Sequence, residues 1–212
     1  MATSRLVAPE LATIEVHGMT RESFLMRSTL AAGAAYGALS ATGLISSALA
    51  DSAGGDVDIL NYALTLEFLE TEFYTQAAKR VKGLSKYERD LTKELRDNEA
   101  AHVDALTATI KQLGGKPVAK PMFAFGGAFA GRAAYLKTAN VLEDTGVSAY
   151  NGAAPMIASV DVLAAAGGIV QVEARHAALI RLVRDRQPAP LAFDKASEMK
   201  EILAAVKPFI KA

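Results

Sequence analysis

NEAAHVDAL, residues 98–106, carries a glutamate and a histidine three positions apart, Glu99 and His102, where a core-facing helix should show aliphatics. Around them Leu91, Leu95, His102, Leu106, Ile110 and Leu113 recur with the period of one helix face. Ser85 followed by Glu88 forms a capping-box signature that opens this helix, and Gly114-Gly115 closes it. The same pair returns at Glu173 and His176, in a stripe of Ile169, Glu173, His176, Ile180 and Val183 on a helix over 159–186. Single glutamates interrupt two further helical patterns, Glu67 over 56–80 and Glu143 over 132–150. Glu143 and Glu173 are the only glutamates between Glu99 and Glu198, which argues against chance placement.

The spacing of these elements predicts an all-α four-helix bundle. The helix over 56–80 is apolar on two sides, Leu60, Ala63 and Leu64 on one and Leu66, Leu69, Phe73 and Ala77 on the other. Both sides should therefore be buried, within the bundle or against a partner subunit. GGKPVAKPMFAFGGAFAG, residues 114–131, has no sustained period and two prolines, and reads as one long crossover between the second and third helices. Asn151-Gly152 and Pro155 separate the third helix from the fourth, where Gly167-Gly168 permits close helix contact. After Pro188 and Pro190, Asp194 is placed to cap a short fifth helix with Met199, Leu203 and Val206 turned inward. No segment of this part alternates as a strand would. The two halves also correspond: Tyr74 stands seven residues after Glu67, as Tyr150 stands seven after Glu143.

Composition narrows the chemistry. The 212 residues are 51% hydrophobic, enough for one core, and 23 basic residues balance 23 acidic ones, so no global field favours nucleic acid. Without cysteine, thiolate ligation and thiol catalysis are excluded. The first fifty residues differ in kind. The stretch 28–50 is uncharged, rich in Ala, Gly, Leu and Ser, follows Arg21 and Arg27, and ends Ala48-Leu49-Ala50. It reads as an export signal over 1–50 cleaved before Asp51, leaving a bundle domain over 51–212, no stable membrane anchor, and a periplasmic or extracytoplasmic location. TRESFLMRS partly matches a twin-arginine motif, with Glu22 where the second arginine belongs. His17 falls in this segment and is given no role.

Glutamate and histidine three apart share one helical face and reach a common point. Four such helices turned inward would bury four carboxylates, a prohibitive cost without cations. Two divalent ions cancel that charge with both imidazoles neutral. Oxygen-rich ligation with one nitrogen per ion favours iron or manganese over structural zinc.

Here the sequence resembles the ferritin-like carboxylate proteins, in which two helices each supply a glutamate and two others a Glu-x-x-His. Glu67, Glu99, His102, Glu143, Glu173 and His176 meet all six positions, and LEFLETEFY, NEAAH and VEARHAALIR with the export signal resemble the exported, desiccation-related branch. The resemblance spans 56–186 and implies a ferritin-like bundle with two Fe or Mn ions per chain. It implies reaction with O2 or H2O2, as ferrous oxidation or peroxide removal in oxidative or desiccation stress. Tyr74 and Tyr150 then become candidate electron-donating catalytic residues, with core tyrosines as the plainer reading. A homodimer or larger homo-oligomer fits the resemblance. The alternative function is a non-enzymatic stress protein in which the metals are structural. The sequence departs from ferritins in having Glu70 where a small residue is usual; it reads equally as an added site carboxylate and as a solvent-facing charge.

Overall fold

The computed structural model describes residues 15–16, 19–20 and 45–211, with side chains from 55 onward. The chain divides into two compact units, Met1–Ala48 and Leu49–Ala212. Within the first, Glu15–Val16 (β1) and Met19–Thr20 (β2) pair antiparallel. The expected export signal otherwise lies outside the described residues. Among the described residues, no helix is long and apolar enough to cross a membrane.

The bundle consists of α1 (Ile45–Arg80), α2 (Lys86–Gln112), α3 (Arg132–Ala153) and α4 (Val160–Val183), followed by the short α5 (Met199–Val206). The α2 start is as expected: Ser85 Oγ accepts from the Glu88 amide, and the Glu88 carboxylate accepts from the Ser85 amide at 2.7 Å. At the other end Gly114 takes φ +76, a left-handed conformation that glycine adopts without a Cβ penalty.

Both apolar sides of α1 are buried within the chain. Leu60, Ala63 and Leu64 pack with Leu106, Ile110, Tyr150, Val162, Ala166 and Ile169. Leu66, Leu69, Phe73 and Ala77 face a second cluster that includes Phe123, Phe125 and Phe129 from the crossover. That crossover follows α1 along its length. Asn61 holds its start, accepting from the Val118 amide at 2.8 Å and donating to the Lys116 carbonyl at 3.2 Å. Lys120 pairs with Glu72 farther on, and Arg80 caps the Phe129 ring face at 4.7 Å. α3 therefore starts at the Arg80 end and runs antiparallel to α1. Asp56, within α1, accepts from the Ala158 and Ser159 amides at 2.8 and 2.9 Å, which sets the start of α4 beside that part of α1.

Four local expectations need correction. α1 begins at Ile45, before Asp56, because helical backbone can precede an apolar stripe and the 45–53 stretch carries several alanines. α3 continues through Asn151 and Gly152 to Ala153. Gly152 is there for clearance: a Cβ on it would lie 1.9 Å from the Ser197 carbonyl oxygen, and the Ser197 amide donates to the Ser148 carbonyl at 3.0 Å. A Cβ on Gly167 or Gly168 would meet nothing within 4 Å, so these two glycines serve no close helix contact. α5 starts at Met199 after Glu198, without a side-chain cap, and Asp194 lies upstream of it. Ile202 and Val206 are its buried residues, whereas Leu203 is 43% exposed.

The Gly152 clearance gives a direct expectation. Gly152→Ala should cost about 1 to 3 kcal/mol through overpacking, read as a lowered midpoint in urea. An unchanged midpoint would mean that the 187–198 segment is not held against α3.

Candidate metal centre

The six expected ligands converge at mid-bundle: Glu67 from α1, Glu99 and His102 from α2, Glu143 from α3, and Glu173 and His176 from α4. All four carboxylates are 0% exposed. They form two overlapping groups. Glu67, Glu99, His102 and Glu173 make one, and Glu99, Glu143, Glu173 and His176 the other, each with one ligand atom per residue mutually within 4.8 Å. Glu99 and Glu173 belong to both.

Each imidazole presents Nδ1 to the carboxylates. His102 Nδ1 lies 2.9 Å from Glu99, 3.1 Å from Glu173 and 3.2 Å from Glu67. His176 Nδ1 lies 2.8 Å from Glu99 and 3.5 Å from Glu143. The tyrosines exchange places across the repeat. Tyr150 on α3 donates to Glu67 on α1 at 2.5 Å, and Tyr74 on α1 donates to Glu143 on α3. Both hydroxyls are buried, and burial followed by the adjacent carboxylates holds them well above the ordinary phenol range. They are protonated donors that fix the two lone glutamates.

Electrostatically the centre is strained as pure protein. Burial, then the other carboxylates, lifts Glu173 well above its ordinary range, and burial lifts Glu67 to about 7. Burial opposes charge on Glu99 too, yet the two imidazoles facing it win and hold it at about 2. Burial likewise opposes charge on the imidazoles, but the carboxylates prevail and raise His102 to about 12 and His176 to about 10. Several buried oxygens make no well-directed hydrogen bond, Glu99 Oε1, Glu143 Oε2 and both of Glu173, although His176 Nδ1 lies close to the first and His102 Nδ1 close to one of the last pair. Buried polar atoms normally have partners, and a cluster of orphaned carboxylate oxygens beside imidazole nitrogen is the donor set of a cation. The residues fit metal cations.

The ferritin-like domain family matches residues 55–186. The chain belongs to that family. No curated protein matches it. The match ends just beyond α4; farther on, α5 packs on the bundle through Ile202 and Val206, and Ser197 before it donates to the Ser148 carbonyl.

Two features of this ferritin-like centre escaped the sequence reading. Asn98 precedes Glu99 on α2, and its side-chain amide sits 3.0 Å from His176 Nε2. It anchors the ring from the Nε2 side, which leaves Nδ1 toward the carboxylates. No apolar period flags such a residue. Asn98→Ala should weaken metal binding by about ten-fold or more, measured by competition with a chelator, while leaving the helical content unchanged. The second feature is a cleft of about 380 Å³ between α2 and α4, lined by Glu94, Asn98, His102, Val172, Arg175 and His176. Through it the imidazole side of the centre faces the surface. Glu94 stands on its rim.

Proposed function

We propose that the chain is an exported ferritin-like oxidoreductase whose buried centre holds two iron or manganese ions and oxidises ferrous iron with O2 or H2O2, or consumes peroxide, during oxidative or desiccation stress. The observation that carries this reading is the set of four fully buried carboxylates and two imidazoles brought together from four helices, with oxygens of Glu99, Glu143 and Glu173 left without a hydrogen bond. Such ions, when bound, supply electrons to or accept them from oxygen species, which no side chain of this cysteine-free chain does alone.

The protein's own part is positioning. Glu99 and Glu173, common to both groups, hold the two positions together. Glu67 and Glu143 close the centre from opposite sides, each steadied by a tyrosine hydroxyl that also stands where an electron could be passed inward. Leu64, Leu95, Leu106 and Ile180, all buried, lie one helical turn from ligands along their helices and keep bulk water out. Small oxidants or a ferrous ion as substrate reach the imidazole side by the cleft, which Arg175 and Glu94 furnish with charge of both signs.

The test is elemental analysis of the purified chain for iron and manganese, then its reaction with hydrogen peroxide and with ferrous iron. A Glu99→Ala/Glu173→Ala double variant serves as the control. About two ions per chain with turnover lost in the control supports the proposal. Ions without turnover would leave the structural role as the function, and absence of bound metal under every loading condition sinks the centre.

A further inference from the structure

Glu70 is the one charged group at the centre that the six-ligand pattern leaves over. It lies one turn beyond Glu67 on α1, is 2% exposed, and its Oε2 has no hydrogen-bond partner. The residue at the corresponding place in the second half, one turn beyond Glu143 on α3, is Gly146. A Cβ on Gly146 would sit 3.3 Å from Glu70 Oε1 and 3.1 Å from Glu173 Oε2. The missing side chain of one half thus makes room for the extra carboxylate of the other, beside Glu173, one of the two glutamates that both metal groups share. The charges that act on it most are those of Glu173, Glu143, Glu99 and Glu67, and with burial as the largest cause its carboxyl is held well above the ordinary range. A solvent-facing role is excluded by burial, and a structural hydrogen-bonding role would have paired Oε2.

Resting on the dinuclear reading above, we infer that Glu70 is a fifth carboxylate ligand, added beside Glu173 in the space that Gly146 leaves open. Five carboxylates exceed the charge of two divalent ions by one, which suits a centre that spends part of its cycle with more highly charged ions. The same geometry assigns Gly146 its role: any side chain there pushes on Glu70 and Glu173 together.

Calorimetric titration of the metal-free full-length chain with Mn2+ separates the possibilities, with Glu70→Gln, Glu70→Asp and Gly146→Ala beside the unsubstituted protein. Glu70→Gln keeps the shape and removes the charge; Glu70→Asp keeps the charge and withdraws it by one methylene. A ligand is sensitive to both, so both should weaken binding by about ten-fold or more, as should Gly146→Ala. The metal-free Glu70→Gln chain should melt at or above the unsubstituted temperature, which separates weak binding from misfolding. Isotherms of Glu70→Gln that overlay the unsubstituted ones overturn the inference and leave the dinuclear reading intact. Weakening by Glu70→Gln with none by Glu70→Asp also overturns it, making Glu70 a source of charge only. If the unsubstituted chain binds no Mn2+ or Fe2+, both the inference and the reading beneath it fail.

Discussion

Glu99→Ala and Glu173→Ala should abolish metal binding alike and yet move the stability of the metal-free protein in opposite directions. Both glutamates belong to both metal groups, so either loss opens both positions. In the metal-free chain their circumstances differ. Glu99 is charged and faces both imidazoles, at 2.9 Å from His102 and 2.8 Å from His176. Its removal leaves buried cations without their principal partner, and breaking such a pair costs about 3 to 5 kcal/mol. Glu173 is instead lifted well above the ordinary range by burial and by Glu67, Glu99 and Glu143, against which the one imidazole facing it, His102 at 3.1 Å, counts for less. Removing it relieves a penalty, offset by a cavity, so the metal-free melting temperature should hold or rise. Calorimetric melting after chelation checks this. Equal destabilisation by both would show that the carboxylates are paired equivalently and that the electrostatic picture is wrong.

The metal-free and metal-loaded proteins should respond to pH with opposite slopes. Glu67 has a folded pKa of about 7 against an ordinary 4.5, so the stability associated with its protonated form is present below 4.5 and lost as pH rises through 7. His102 and His176, raised from 6.5 to about 12 and about 10, contribute fully below 6.5 and lose that contribution as pH rises toward those values. Glu99 acts oppositely: lowered to about 2, it contributes above 4.5 and loses this as pH falls toward 2. The metal-free chain should therefore be most stable at about pH 5 and weaken steadily toward pH 9. Bound ions displace the imidazole protons, so their affinity grows with pH. At about a thousand times the dissociation constant they add about 4 kcal/mol, and the gap between loaded and free melting temperatures should widen as pH rises. A gap independent of pH from 5 to 9 would mean that no imidazole proton is displaced and that the histidines are not ligands.

What could be read from the linear chain was whatever depends on local spacing. Four interrupted apolar stripes located four helices and the six glutamates and histidines that meet between them, because residues three or four apart on a helix share a face wherever the helix packs. Ser85 with Glu88 located a start for the same reason. Boundaries governed by distant contacts were misread: Asn151-Gly152 looked like a break, yet a helix tolerates glycine when its absent side chain admits another strand of chain, here Ser197. Gly167-Gly168 looked like a contact and meets open space.

The repeat of lone glutamate, tyrosine and Glu-x-x-His was determined by the sequence alone, as was the charge that demands cations. Which tyrosine serves which glutamate was not, since Tyr74 bonds Glu143 and Tyr150 bonds Glu67 only because α1 and α3 lie antiparallel. Glu70 is the clearest division between the two. Its spacing from Glu67 puts it on the helix face of a ligand, but a face does not say whether water or another helix covers it. The tertiary structure decided that, by bringing Gly146 and Glu173 against it and leaving its oxygen no other partner.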